Sequence, residues 1–356
     1  MKKIALEDMI LTKDLPTTAG SRMLSGYVSP FVATVVQKLR DGGFEVAGKV
    51  PVGEFGIDLV GESCYLEEAA YATANILKTD TVTGVISCDV NGAPRRVAAQ
   101  KGLCYLKPTF DRISRHGTVA AVSSADTLGI SARCAKDVRE IFSALCKAQT
   151  HRAPLGRVGV LSVDVNEEIA MLLESAKRKM AANGIEFCEI DVNLPAAHAC
   201  WNTLLCAELC ANLSRYDGIR YGYRAMGAKD WESLCTKSRS EGFGTLVKSA
   251  ILYGSDALYG KNYAQKYDKA LRVRRVITET LTRAFETVDA ILLPACSKLT
   301  YDENDHPFEE NAHTALASLA GLPAVVAGGV QMIGPAFSED TLLTFADILM
   351  QGGGEK

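Results

Sequence analysis

The sequence has no excess of positive charge: 39 Lys and Arg face 42 Asp and Glu, a net charge of −3 with His neutral. Without a basic field, no direct grip on nucleic acid or an anionic membrane is expected. Nor is there a run of about eighteen apolar residues, so no membrane span is expected. The best apolar stretch, Gly321 to Phe337, is broken by Gly and Pro and carries Gln331. A secretory leader is not expected either, because Glu7 and Asp8 interrupt the segment after Met1-Lys2-Lys3. Repeats, low-complexity tracts and linkers are missing. The tail from Gly352 to Lys356 reads as frayed. Walker A, GxGxxG, HExxH and GxSxG motifs are absent as well, which removes the common phosphate, zinc and serine-hydrolase signatures.

What is present is a globular composition, 47% hydrophobic and 23% charged over 356 residues. That implies one large α/β domain, alone or with a cap. Eleven cysteines lie scattered in apolar sequence with no CxxC pair. They read as free thiols in a reducing cytoplasm, packed as small hydrophobes. Cys206 and Cys210 sit one helical turn apart with Cys200 upstream, and His198 is the only near candidate for a fourth ligand. Thiols packed as small hydrophobes are the better reading, so no metal is expected, and no cofactor.

Periodicity gives a coarse order of elements. Ile4 to Leu6 reads as a strand, Phe31 to Leu39 as a helix stopped by Asp41-Gly42-Gly43, and Phe44 to Ala47 as a strand. Glu67 to Leu77 reads as helix and Val82 to Cys88 as a β-branched strand. Arg157 to Val163, Asn166 to Asn183 and Ile185 to Val192 form a βαβ unit, its helix closed by Gly184. A long helix runs from Tyr263 to Val288, with Arg272, Arg274 and Arg275 on a solvated face. Ala290 to Leu293 is a buried strand ended by Pro294.

One stretch is more specific. Gly102-Leu103-Cys104-Tyr105-Leu106-Lys107-Pro108-Thr109, followed by Arg112-Ile113-Ser114-Arg115 and Gly117, resembles the G-x-x-x-L-K-P-T-x-G-R-(V/I)-S-R-x-G stretch of the amidase signature family. Ser123 to Gly129 and Arg133 continue the match. The run from Ala207 to Gly222 is similar to a segment of that family's amidotransferase branch. Leu319-Ala320-Gly321-Leu322-Pro323-Ala324 and Gln331 to Gly334 extend it at the C-terminal side. Ala33 to Val36, Gly48-Lys49 and Glu54-Phe55 extend it at the N-terminal side. The resemblance implies an α/β fold, a large, mostly parallel, twisted sheet with helices on both faces. It implies a single domain over residues 1–356 without the family's N-terminal helices.

The family's chemistry uses a Lys, a Ser in a cis peptide and a nucleophilic Ser, with backbone N–H groups of a turn holding the oxyanion. Residue by residue, that triad is not carried over. The Lys position in Ile4-Ala5-Leu6-Glu7-Asp8-Met9 is Glu7. The nucleophile position in Asp89-Val90-Asn91-Gly92-Ala93-Pro94-Arg95 is Ala93. The cis-Ser position in Glu67-Glu68-Ala69-Ala70 is Ala69. A methyl group forms no acyl-enzyme and relays no proton, and Pro94 has no N–H to donate. The former oxyanion turn and pocket are then Asp89, Val90, Asn91, Gly92 and Arg95. The chain is also shorter than the family pattern by about a dozen residues before Glu67 and roughly nine before Gln331. The Arg expected in a K-R-R-I run is missing from Lys248-Ser249-Ala250-Ile251.

These residues imply a degenerate, catalytically inactive amidase-fold protein. Its role would be to bind a small ligand in the former cleft, or a protein partner in an amidotransferase-like complex. The alternatives are an active glutamine amidase of the amidotransferase type, or a hydrolase with a rewired site. In the last, Glu7, Asp8 or Asp89 acts as base, or Cys88 or Cys104 as nucleophile. Glu7 is expected to pair with Arg95 if it is only structural. Glu7, Glu67 and Glu68 together would make the pocket repel carboxylates; the alternative is that Glu67 and Glu68 point to solvent from a helix.

Overall fold

The structure is a computed structural model that describes residues 2–66, 69–146 and 156–350. Glu67, Glu68 and the tail from Gly352 lie outside the described residues. Ten strands order as one sheet: β1 (Lys2–Glu7), β2 (Phe44–Val50), β3 (Gly84–Asp89), β4 (Cys104–Lys107), β5 (Thr127–Ala132), β6 (Arg157–Leu161), β7 (Glu186–Ile190), β8 (Ala290–Pro294), β9 (Ala324–Ala327) and β10 (Val330–Ile333). The helices are α1 (Thr34–Asp41), α2 (Ala72–Lys78), α3 (Ala93–Lys101), α4 (Ala135–Leu145), α5 (Glu167–Ala181), α6 (Leu194–Leu213), α7 (Trp231–Gly242), α8 (Thr245–Leu258), α9 (Tyr267–Ala284), α10 (Pro307–Glu310), α11 (Ala312–Ala320) and α12 (Glu339–Met350). None of the described helices is long and apolar enough to cross a membrane.

The strand order is β2-β1-β3-β5-β4-β9-β10-β8-β6-β7. Pairing is parallel on both flanks, β2-β1-β3 and β8-β6-β7. It is antiparallel across the centre, from β3 to β8. The expected α/β architecture is present, with parallel pairing on the flanks. The centre differs because β5 inserts between β3 and β4, and because β9 and β10 form a hairpin. That hairpin turns on Gly328 and Gly329, with φ of 58° and 82°, the two-residue geometry that matches strand twist.

Strands buried on both faces read as continuous apolar runs. Ile4 and Leu6 of β1 point into the larger core, together with α1, α4 and α12, while Ala5 points into a smaller one with Leu77 of α2 and Val97 of α3. The βαβ unit is β6-α5-β7: the Asn166 side chain accepts from the Ile169 N–H to start the helix, and Gly184 follows it at φ 78°. Two expectations are corrected. The helix expected from Glu67 starts at Ala72, because Tyr71 sits in the left-handed region at φ 58°. Arg274 is not on a solvated face: its guanidinium donates to the Leu319 carbonyl and to Ser124, pinning α9 across the fold. Arg272 and Arg275 do lie on the expected solvated face, where they form i,i+4 pairs with Asp268 and Glu279. All eleven cysteines are free thiols.

Candidate functional site

The carboxyl ends of β1 and β3 lie side by side, and both lead into the site. In open α/β sheets this is where ligands bind. Glu7 closes β1. Asp89 closes β3, and Val90-Asn91-Gly92 turn the chain into α3, which starts at Ala93 with Pro94 in its first turn. Proline is tolerated there because the first-turn N–H groups have no helical partner. Gly92 is required at the turn. Its φ is 81°, and a Cβ would sit 2.4 Å from the Thr314 hydroxyl.

Glu7, Ala69 and Ala93 all line one cavity, with Gly53, Asp58 and Pro94 beside them. Its volume is about 30 Å³. That is room for on the order of one or two waters, far below the roughly 300 Å³ at which small-molecule sites begin. The three aligned positions themselves bring one carboxyl and two methyls to this cavity; Asp58 adds a second carboxyl, and Tyr71 and Thr73 also line it.

Glu7 is buried, and its Oε2 accepts the Cys88 N–H at 2.6 Å. Burial first, and then Asp58, Asp89 and Asp8, push its carboxyl up to about 8 against the Cys88 hydrogen bond. Burial and Glu62 raise Asp58 to about 6, although the Ser63 N–H and hydroxyl both donate to it at 2.9 Å. The expected Glu7–Arg95 pair does not form. Arg95 instead grips Asp89 in a two-point contact, Nε to Oδ2 at 2.9 Å and Nη2 to Oδ1 at 3.0 Å. Asp89 ends a strand and Arg95 sits in the first turn of the next helix, so the pair is local and geometrically favoured. Asp8 is spent on framework, accepting from the Thr18 N–H at 3.0 Å and pairing with Lys49 at 3.2 Å.

The turn after β3 is stitched from several sides. Asn91 donates to the Ile57 carbonyl at 2.9 Å and accepts from Trp201 Nε1 at 3.1 Å and Asn311 Nδ2 at 2.7 Å. Val90 is fully buried. Arg96, which no sequence motif singles out, donates to the carbonyls of Asn91, Asp58 and Leu59. Its only signal in the sequence is the adjacent pair Arg95-Arg96. Gln331, the polar break in the apolar run, accepts from Arg95 Nη1 at 3.1 Å.

The thiol alternatives do not fit. Cys88 and Cys104 are buried, burial pushes both thiols up, and neither lines the cavity. Lys107 is no substitute base: it lies buried in β4 outside the cavity, donating to the Leu322 carbonyl at 3.0 Å, and burial lowers it to about 7. His198 turns to Asn202 and the Phe308 carbonyl. Among the described residues no three His, Cys, Asp or Glu side chains are arranged to hold a metal.

The family model described as Amidase matches residues 3–87 and 79–343. The glutamyl-tRNA(Gln) amidotransferase A subunit of Acinetobacter baumannii (strain AYE) is 33% identical over 398 residues, spanning 96% of this chain and 80% of that protein. The corresponding protein of Coxiella burnetii (strain Dugway 5J108-111) is 33% identical over 391 residues, spanning 96% and 81%. The crystal structure of the glutamyl-tRNA(Gln) amidotransferase A subunit from Thermotoga maritima superposes with a TM-score of 0.78 at 23% identity, covering 99% of this chain and 83% of that one. The chain therefore belongs to the amidase signature family.

Proposed function

We propose that this protein keeps the amidase framework and binds without turning over amides. The observation that carries the reading is the content of the cavity at the ends of β1 and β3. Ala93 offers a methyl where an acyl-enzyme would form, Ala69 offers a methyl where a proton would be relayed, and Glu7 offers an acid where a neutral base would act. A binding role follows, toward a protein partner in an amidotransferase-like assembly or toward a small ligand, in the cytoplasm. The relatives named as amidotransferase subunits support the partner, since each such chain is one part of an assembly.

A second reading has one observation behind it. Glu7 is a carboxyl held near 8 beside a water-sized cavity, which is the setting for a general base on water. Ammonia release from glutamine and simple amides separates the two. The expected result is no release above buffer. Release that scales with protein concentration and disappears in Glu7→Gln would replace the binding reading with a rewired hydrolase.

A further inference from the structure

The loop before α7 and the start of that helix enclose a groove of about 470 Å³. Ala225 and Leu234 form its buried floor, and Ile219, Met226 and Trp231 stand at its sides. Met226 is 82% and Trp231 72% exposed, among the most open of the large apolar side chains. Large apolar side chains gathered in water around a concavity mark a contact surface, and tryptophan is the residue on which such contacts most often turn.

The backbone that carries them is tied to α7. The Ala225 N–H donates to the Ser238 hydroxyl at 3.0 Å, and Lys237 Nζ donates to the Met226 carbonyl at 2.6 Å. Asp230 accepts the Ser233 N–H at 2.7 Å, the cap that sets Trp231 as the first residue of the helix. A surface already held in place loses less freedom when it docks. Its charge is of one sign. Arg224 and Lys229 line the groove, and among the described residues neither side chain has an ion pair or a hydrogen bond. Asp230, the only carboxylate among the described lining residues, is engaged as the cap. Two unpaired cations beside apolar walls match carboxylates set next to large apolar side chains. A nucleic acid fits less well, because Asp230 sits in the groove and its walls are aliphatic apart from Trp231.

We propose that this groove docks an acidic, amphipathic segment of a protein partner, its apolar side chains between Met226 and Trp231 and its carboxylates on Arg224 and Lys229. The proposal deepens the partner form of the binding reading and rests on it. The probe is the peptide acetyl-ELFDELFE-amide, titrated into the full chain at low salt beside its basic counterpart, acetyl-KLFKKLFK-amide. The chain has two tryptophans and Trp201 is fully buried, so a blue shift in emission reports on Trp231. The acidic peptide should give that shift and bind at least about tenfold more tightly than the basic one, a margin that narrows with added salt. Arg224→Glu with Lys229→Glu should reverse the order of the peptides. Trp231→Ala, followed by calorimetry, should weaken the acidic peptide about tenfold, whereas Met171→Ala on α5 should change nothing. Equal binding of the two peptides, no binding of the acidic one in the millimolar range, or indifference to the groove variants overturns the proposal. Tighter binding of oligouridylate than of the acidic peptide overturns it in favour of a nucleic-acid surface, and self-association lost in Trp231→Ala overturns it in favour of a contact between copies. Ammonia release from glutamine would defeat the non-catalytic reading and leave the order of the peptides untouched.

Discussion

A carboxyl at residue 7 costs the fold more as more of it ionises. Its folded value is about 8, against 4.5 in an exposed chain. The folded state therefore holds the proton more tightly, and stability falls as pH rises through that window. Glu54, raised to about 7, and Asp58 and Asp126, each raised to about 6, act in the same direction, and burial is the largest cause for each. Denaturant unfolding should show greater stability near the lower end of the window than above its upper end. Glu7→Gln keeps an oxygen for the Cys88 N–H and removes the charge. It should stabilise the protein at alkaline pH by on the order of 3–5 kcal/mol and change little in mild acid. An unchanged pH profile in the variant would show that Glu7 ionises freely. The sequence made Glu7 legible as a changed residue but not its partner. Asp89 and Arg95 lie within one turn of chain, whereas Glu7 meets β3 only through the sheet.

Among the elements, α3 is tied to α11 and β10 through one side chain. Arg95 donates to Asp89, to the Thr314 carbonyl at 2.8 Å, to the Ser318 hydroxyl at 2.8 Å and to Gln331, and it is fully buried. Arg95→Met leaves Asp89 buried without a cation. Thermal or denaturant unfolding should register a loss of about 3–5 kcal/mol, and the double variant with Asp89→Leu should recover a good part of it. A single variant as stable as the parent would mean that water reaches Asp89. Elements with a clear period, such as β6-α5-β7 and α9, were legible in sequence. Others were not. α6 is apolar around most of its circumference, so no face stands out in its sequence, and β4, β9 and β10 are too short to show alternation.

For the whole molecule, the three aligned positions converge on one cavity, yet the volume there is about 30 Å³. Side chains alone then do not restore an amidase. The combined variant Glu7→Lys, Ala69→Ser, Ala93→Ser should hydrolyse glutamine no faster than the parent in an ammonia-release assay. A clear gain would mean that the cavity opens to substrate. Family membership and sheet architecture were readable from the Gly102–Gly117 stretch. The closure of the cavity was not, because its walls come from Glu7, from residues 51–61 and 69–73 and from the start of α3, which meet only in the fold.

The sheet is also assembled out of order. β4 is complete by residue 107, but its neighbour β9 begins at Ala324, and β8 waits for β10 at Val330–Ile333. A chain made only as far as residue 323 can therefore offer at most two partial sheets, with β4 and β8 as unpaired apolar edges, and the same late hairpin seals both. Such edges are templates for the wrong strand. A ribosome stalled before residue 324 presents them for as long as it pauses, so the fate of a nascent chain depends on the Gly328-Gly329 turn being made promptly.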